Sequence, residues 1–387
     1  MKCRRKPDEK HDNGGRREHP ACEDRERRPT SESHRLNHTS VDLKILILTT
    51  SYPRGPGDPA GRFVADAVDA VRARGAEVEV VSPADFRHFG IAYGHGIVGN
   101  LRRRPWLAIA LPTFLWSFRR AAQRHDCDLV HAHWLASGAV ASTLGKPYVV
   151  QVWGTDVELA RRAPWAARWI LRRARLVLAA SSFLAGEARA LGARDVRIVP
   201  AAVTIPDVVA EPEQPQHVLY AGRLSPEKGI EDFLAATEGL RRVIVGAGPV
   251  RVAESVGAVS PSALGDYYEK AAVVCVPSRR EGYGMVAREA MAYGRPVVAT
   301  PVGGLLDAVD DQVDGVLVDR SGLRDAIERL LADSVLRSRL GAAAREKAQR
   351  EWSPSAAADA LVAAYQSARR ATAQSDSPNG SGNRSRR

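Results

Sequence analysis

The stretch Leu43-Lys44-Ile45-Leu46-Ile47-Leu48 is followed by a run containing Gly and Pro over 51–61 and by a helical pattern over 62–74. A short apolar run bounded by turn residues and then by 3.6-residue periodicity reads as strand, loop, helix. The unit recurs, with strands expected at 78–81, 128–131, 147–152, 176–179 and 196–199 and helical segments between most of them. Strands apolar on both faces imply a parallel sheet covered by helices. Over 205–216, Pro206, Pro212 and Pro215 sit among acidic and polar residues, which reads as an interdomain linker. The pattern then restarts, with strands expected at 217–221, 242–245, 273–276 and 297–300 and a last amphipathic helix over 356–370. Two consecutive α/β domains are the simplest account, since no short repeat of the solenoid kind is present.

Composition agrees. The chain has 387 residues, 44% hydrophobic and 26% charged, which fits a soluble globular protein of two or three domains and excludes collagen-like and fully disordered classes. No apolar run approaches the ~18 residues of a membrane span. Arg4, Arg5 and Lys6 lead into further charge where a signal peptide would turn apolar, so a cytoplasmic location is expected. Of the net charge of +11, +3 lies in residues 1–40 and +4 in 368–387. Segments 1–40 and 371–387 are polar, nearly devoid of apolar residues and expected to be disordered. Cys3, Cys22, Cys127 and Cys275 lack CxxC or Cys/His spacing, which supports neither a disulfide framework nor a zinc site.

In open parallel sheets ligands bind beyond the carboxyl ends of strands. One such loop is Gly222-Arg223-Leu224-Ser225-Pro226-Glu227-Lys228-Gly229. Its two cations can hold two phosphate groups, Arg by its planar fork and Lys as a point charge, or can be solvated loop charges. A second is Pro277-Ser278-Arg279-Arg280-Glu281-Gly282-Tyr283-Gly284-Met285-Val286-Ala287-Arg288-Glu289-Ala290. Gly282 and Gly284 let backbone approach a ligand, and a helix starting near Gly284 offers free N–H groups to a phosphate. Glu281 and Glu289 can accept hydrogen bonds from sugar hydroxyls, or merely complement the helix dipole. Gly246-Ala247-Gly248 lacks the third glycine of a dinucleotide fingerprint and reads as a structural turn. His131 and His133 follow a strand; they read either as satisfied core-edge residues or as part of a site, and no third metal ligand stands nearby.

These loops together resemble the donor-site signature of glycosyltransferase family 4, retaining enzymes of the GT-B fold, with Glu281 and Glu289 as the E-x7-E pair. The resemblance covers about residues 43–370, because Ser51-Tyr52-Pro53 with Gly61, Asp128-Leu129-Val130-His131-Ala132-His133 and Gly154-Thr155-Asp156 are similar to its N-terminal motifs. It implies an α/β GT-B architecture, two Rossmann-like domains with parallel sheets facing across a cleft. The acceptor-side domain would be 41–206, the nucleotide-sugar domain 207–352, and a helix at 353–370 would return to the first domain. By the same resemblance Arg223 and Lys228 bind the diphosphate, Glu281 the transferred sugar and Glu289 the ribose. His133 lies near the reacting face and Gly61 near the phosphates. Gly222, Gly282, Tyr283, Gly284, Met285 and Val286 complete the donor set, and Tyr52 and Asp156 stand on the acceptor side.

The implied activity is retaining transfer of a sugar from a nucleoside-diphosphate sugar to an acceptor hydroxyl, with no metal and no cofactor beyond the donor substrate. The acceptor would be a lipid, a glycan or a small molecule. A nucleotide-sugar epimerase would share the fold and diphosphate site but needs acid/base residues that are not apparent. A basic nucleic-acid-binding or scaffold protein is favoured only by the charged tails, which lack interleaved aromatics, so no nucleic-acid partner is expected.

Two departures from the family pattern stand out. Pro200-Ala201-Ala202-Val203-Thr204 replaces Pro-Asn-Gly-Val-Asp, and the chain between Pro249 and Leu264 is shortened near the expected nucleobase. In the acceptor-side half, Arg102-Arg103-Arg104-Pro105-Trp106 leads into a segment carrying Leu111, Phe114, Leu115, Trp116 and Phe118 and ending at Arg119-Arg120. Arg161-Arg162 and Arg172-Arg173 surround Trp165 and Trp169 similarly. Cations flanking an aromatic amphipathic helix suit an anionic bilayer, and a peripheral position at the inner membrane face. The alternative is a stripe packed on the sheet with solvated arginines.

Overall fold

The computed structural model describes residues 43–376, apart from 56, 57, 59, 95 and 162. Residues 1–42 and 377–387, with Cys3 and Cys22, lie outside the described residues. The first lobe has strands β1 (Lys44–Leu48), β2 (Glu77–Val81), β3 (Leu129–His133), β4 (Tyr148–Val152), β5 (Leu176–Ala179) and β6 (Val196–Ile198). They form one sheet in the order β2-β1-β3-β4-β5-β6, every pair parallel. The second lobe has β7 (Val218–Ala221), β8 (Arg242–Val245), β9 (Val273–Val276), β10 (Val297–Ala299) and β11 (Gly315–Leu317), in the parallel order β11-β10-β9-β7-β8.

Alternation along each strand assigns its side chains to two cores. Leu46, Leu48, Val130, Ala132, Val150 and Val152 point to the face covered by helices Leu111–Ala122, Trp134–Ala141, Pro164–Arg173 and Ser182–Ala190. Ile45, Ile47, Leu129, Val149 and Leu176 point to the other face, where helices Arg62–Arg72 and Pro354–Asp376 pack. The second sheet is buried on both faces in the same way. Near-continuous Val/Ile/Leu strands are what a sheet covered on both sides requires.

Three sequence expectations are adjusted. The strand expected at 128–131 runs over Leu129–His133, so both histidines lie within it. β11 was not anticipated, because three residues beginning with glycine carry too little pattern. The last helix continues through Asp376 into the segment expected to be disordered from 371; nothing before Pro378 breaks a helix there.

The chain crosses between lobes twice, after β6 and again near Trp352, and the crossings touch: the Val203 amide donates to the Trp352 carbonyl at 2.9 Å. The last helix then returns to the first lobe. Leu361, Ala364, Tyr365 and Ala368 enter its core, Arg74 Nε pairs with Asp359 at 2.8 Å, and the buried Tyr365 hydroxyl lies 2.7 Å from His131 Nδ1.

Candidate active site

The loops after β7 and β9 meet beneath the start of the Met285–Ala292 helix. Gly229 has φ +70°, and a Cβ there would lie 1.9 Å from the Pro277 carbonyl oxygen, so only glycine lets the two loops touch. This contact brings Lys228 to Glu281: Nζ donates to Oε2 at 2.7 Å, and the Ser278 hydroxyl reaches the same oxygen at 3.3 Å. Arg223 stays on the open side of its loop, with Glu227 3.8 Å away. Behind it, Gly222 and Leu224 pack against Gly246 and Gly248, whose Cβ atoms would collide with the Gly222 and Leu224 carbonyls at 1.8 and 2.1 Å. Gly246-Ala247-Gly248 is thus a packing turn, and the shortened segment following it forms a bridge from Gly257 back to Gly246 before entering the helix Pro261–Lys270.

Gly284, at φ +85°, caps the helix that carries Glu289 on its second turn. The Tyr268 hydroxyl donates to Glu289 Oε2 at 2.7 Å, and burial pushes the Glu289 carboxyl above the usual carboxylate range. Met285 and Val286 are half-buried in the first turn of the helix. Tyr283 turns inward, its hydroxyl donating to the Ala201 carbonyl at 2.7 Å. The segment that departs from the family pattern therefore contributes through its main chain.

From the first lobe, β3 and β4 bring His133 and Trp153 together. Trp153 Nε1 donates to His133 Nδ1 at 3.3 Å, with the rings parallel and 6.0 Å apart. Indole N–H can only donate, so Nδ1 accepts and the ring proton of neutral His133 resides on Nε2. Burial, reinforced by His131 at 4.3 Å between ring centroids, holds the His133 pKa well below its ordinary value. His133 is therefore a neutral hydrogen-bond donor at physiological pH, not a base in waiting. Trp134, the next residue, adopts left-handed backbone with φ +66°. Such strain in a bulky residue concentrates at functional sites.

The two lobes close on each other here. The Ser181 hydroxyl donates to the Gly282 carbonyl at 2.7 Å, and the Ser182 amide and hydroxyl both donate to Asp307 at 2.5 Å. A methyl on Gly282 would stand 3.7 Å from the Gly154 Cα. The seam thus sets Gly282 of the second lobe against Trp153 and Gly154 of the first, with His133 bonded to Trp153 on one side and Glu281, next to Gly282, paired with Lys228 on the other. Gly61 begins the Arg62–Arg72 helix at φ +65°, where a Cβ would meet the Ser51 carbonyl at 2.1 Å. Tyr52 packs beside that helix on the first-lobe core. Asp156 accepts from the Trp153 and Gly154 amides at 3.1 and 3.0 Å, while its other oxygen is buried without a protein partner.

Arg288 was not singled out from sequence. It is 2% exposed, donates to the Tyr283 and Gly304 carbonyls, and lies 3.9 and 4.8 Å from the ring centroids of Tyr283 and Trp352. Its signal is a cation inside the otherwise apolar run Met285-Val286-Ala287. Ser181 had a readable signal, a serine before a helix whose hydroxyl accepts from the Leu184 amide at 3.2 Å. Its second bond, to Gly282, had none. Among the described residues no three His, Cys, Asp or Glu side chains converge as a metal site would require.

Two parallel-sheet lobes closing over a cleft, with a terminal helix strapped back to the first, define the GT-B class. Residues 60–205 match Glycosyltransferase Family 4 and residues 204–347 match Glycosyl transferases group 1. The chain belongs to this family of retaining glycosyltransferases. It is 30% identical over 380 residues to the alpha-D-kanosaminyltransferase of Streptomyces kanamyceticus, covering 82% of this chain and 94% of that protein. It is 38% identical over 179 residues to a D-inositol 3-phosphate glycosyltransferase of Xylanimonas cellulosilytica, a match spanning 40% of this chain and only 43% of that protein. Among solved structures, the sucrose-phosphate synthase of Thermosynechococcus elongatus superposes with TM-score 0.69 at 24% identity, over 84% of this chain and 98% of that one. The Anabaena protein HepE, crystallised with UDP-glucose, superposes with TM-score 0.63 at 20% identity, over 84% and 99%.

Proposed function

We propose that this protein transfers a sugar from a nucleoside-diphosphate sugar to an acceptor hydroxyl with retention of anomeric configuration. The observation that carries this reading is the Lys228–Glu281 pair, beside the Gly284 terminus of the Met285–Ala292 helix. Lys228, Arg223 and the helix N–H groups would stabilise charge growing on the leaving diphosphate. Glu281 would accept hydroxyl hydrogen bonds from the transferred sugar, and Glu289 from the ribose. Nε2–H of His133 would donate to the sugar on the opposite wall.

The bond from the anomeric carbon to the diphosphate oxygen breaks, a bond to the acceptor oxygen forms on the same face, and the acceptor proton passes to the departing phosphate. Protein groups then act by position and field, and no side chain need become a covalent nucleophile. The acceptor would approach from the first lobe, past Tyr52 and Asp156. UDP-glucose, bound by the Anabaena neighbour, is the first donor to try. Incubation with a panel of nucleotide sugars tests the proposal: release of nucleoside diphosphate supports it, and interconversion of the sugar without release would replace it by epimerisation.

A further inference from the structure

Beside the seam, the first lobe carries an open cavity of about 430 Å³, within the range of small-molecule sites. Its wall is hydrocarbon, from Ile97, Val98, Leu135, Ala163, Ala167 and Ile170, and Trp134 borders it. Thr50, Thr155 and Asp156 supply its polar side chains, and Asp156 is the only charged residue among the described residues of its lining. A polyol or aminoglycoside would leave most of its hydroxyls unpaired against such a wall.

The helices that line the cavity also make the outer surface. In Pro164–Arg173, Ala166, Ala167 and Ile170 face the cavity while Trp165 and Trp169 are 76% and 46% exposed. Gly96–Arg103 lines it with its first turn and ends in Arg102 and Arg103, followed by Trp106 and Ile109, 64% and 85% exposed. Leu111–Ala122 lies in the same layer. It buries Phe114 and Phe118, as the packed-stripe reading requires, yet leaves Trp116 60% exposed with the Arg120 guanidinium 5.8 Å from its ring. Arg173 sits over Trp169 likewise, at 5.1 Å. No acidic residue occurs between Asp85 and Asp126, nor between Glu158 and Glu187. The layer therefore combines exposed indoles with one sign of charge.

We infer that this helix layer seats on an anionic phospholipid bilayer, and that the cavity behind it receives the hydrocarbon part of a lipid acceptor whose hydroxyl lies beside Asp156. Indole rings enter the headgroup region while the arginines meet lipid phosphates, and affinity grows with both buried apolar area and anionic lipid content. The seating stands on the surface alone; the acceptor assignment rests on the transfer reading above.

The full chain is sedimented with vesicles of phosphatidylglycerol and phosphatidylcholine, and with phosphatidylcholine alone, at low and high salt. Binding is expected only to the anionic vesicles, weakening with salt, and falling at least about tenfold in Trp116→Ser/Trp165→Ser/Trp169→Ser. Absence of binding at low salt overturns the seating, as does undiminished binding of the triple variant, which would assign it to the arginine-rich termini. For the cavity the probe is 1-dodecanol, one hydroxyl on one chain. It should raise the melting temperature of the wild-type chain and of the triple variant but not of Ala167→Phe, which fills the cavity. No rise in the wild type, or an equal rise in Ala167→Phe, overturns the acceptor assignment. Nucleoside-diphosphate release from nucleotide sugars, measured without vesicles, reports on the transfer reading separately.

Discussion

Lys228 Nζ and Glu281 Oε2, 53 positions apart in the chain, are joined by a 2.7 Å charge-assisted hydrogen bond. The bond links the two loops that face the cleft from the second lobe, so each residue orients the other. On the proposed function, a diphosphate arriving at Lys228 would share the ammonium with Glu281, whose second oxygen would remain available to a sugar hydroxyl.

Lys228→Ala should therefore lower kcat/KM by roughly ten- to a hundredfold, the scale of a lost contact to a charged group. Glu281→Gln should leave affinity for the free nucleoside diphosphate within a few-fold of wild type while turnover collapses. Titration calorimetry with the diphosphate, beside steady-state rates, separates the two; equal losses in both would move Glu281 to the nucleotide.

Arg288→Met should unfold at markedly lower denaturant concentration. Removing the guanidinium leaves the buried Tyr283 carbonyl without a donor, at a cost of about 1–3 kcal/mol, while the Gly304 carbonyl keeps the Ala308 amide at 3.2 Å. Lysine should rescue only part of this, because it lacks the planar fork and the stacking between Tyr283 and Trp352. Equilibrium denaturation of the three proteins checks the order wild type, Lys, Met.

Acidification should destabilise the fold through the paired histidines. Burial pushes His131 down to about 3 and His133 well below its ordinary value. Protons therefore bind the unfolded chain first, and stability is lost as pH falls below about 6.5, the unfolded value. At pH 5 each histidine that stays neutral in the fold contributes a loss of about 2 kcal/mol. His131→Asn, which keeps a polar atom near the Tyr365 hydroxyl, should flatten the decline of melting temperature between pH 7 and 5.

Gly303→Ala should damage the site from outside it. Gly303 has φ +53°, and a Cβ there would lie 1.9 Å from the Glu281 carbonyl oxygen. The Glu281 loop must move, so turnover should fall by more than stability does. Rates and melting temperature, measured on one preparation, decide it.

The fold was legible because it is written in long-lived local signals. Strands such as Ile45–Leu48 and Val273–Val276 are apolar on both faces, and each leads through a turn into a helix. The loops bearing Lys228 and Glu281 could be read for the same reason, since each follows a strand end. Contacts decided by packing between lobes were not readable. Ser182 and Asp307 are unremarkable surface residues until closure places them 2.5 Å apart, and Arg288 looks misplaced in its helix until Trp352 arrives from another. Trp134 carries no mark in the sequence of its left-handed backbone. The membrane pattern was divided by the structure: Phe114 and Phe118 belong to the core, Trp116 to the surface.

The two chain crossings held together by the Val203 amide and the Trp352 carbonyl fix what kind of opening the molecule can make. Adjacent tethers resist sliding and leave rotation about a line through them, as with the spine of a book. Ser182 and Asp307 then act as the clasp. On the proposed function, admission of a donor would be an angular event, released at the clasp and directed by the spine.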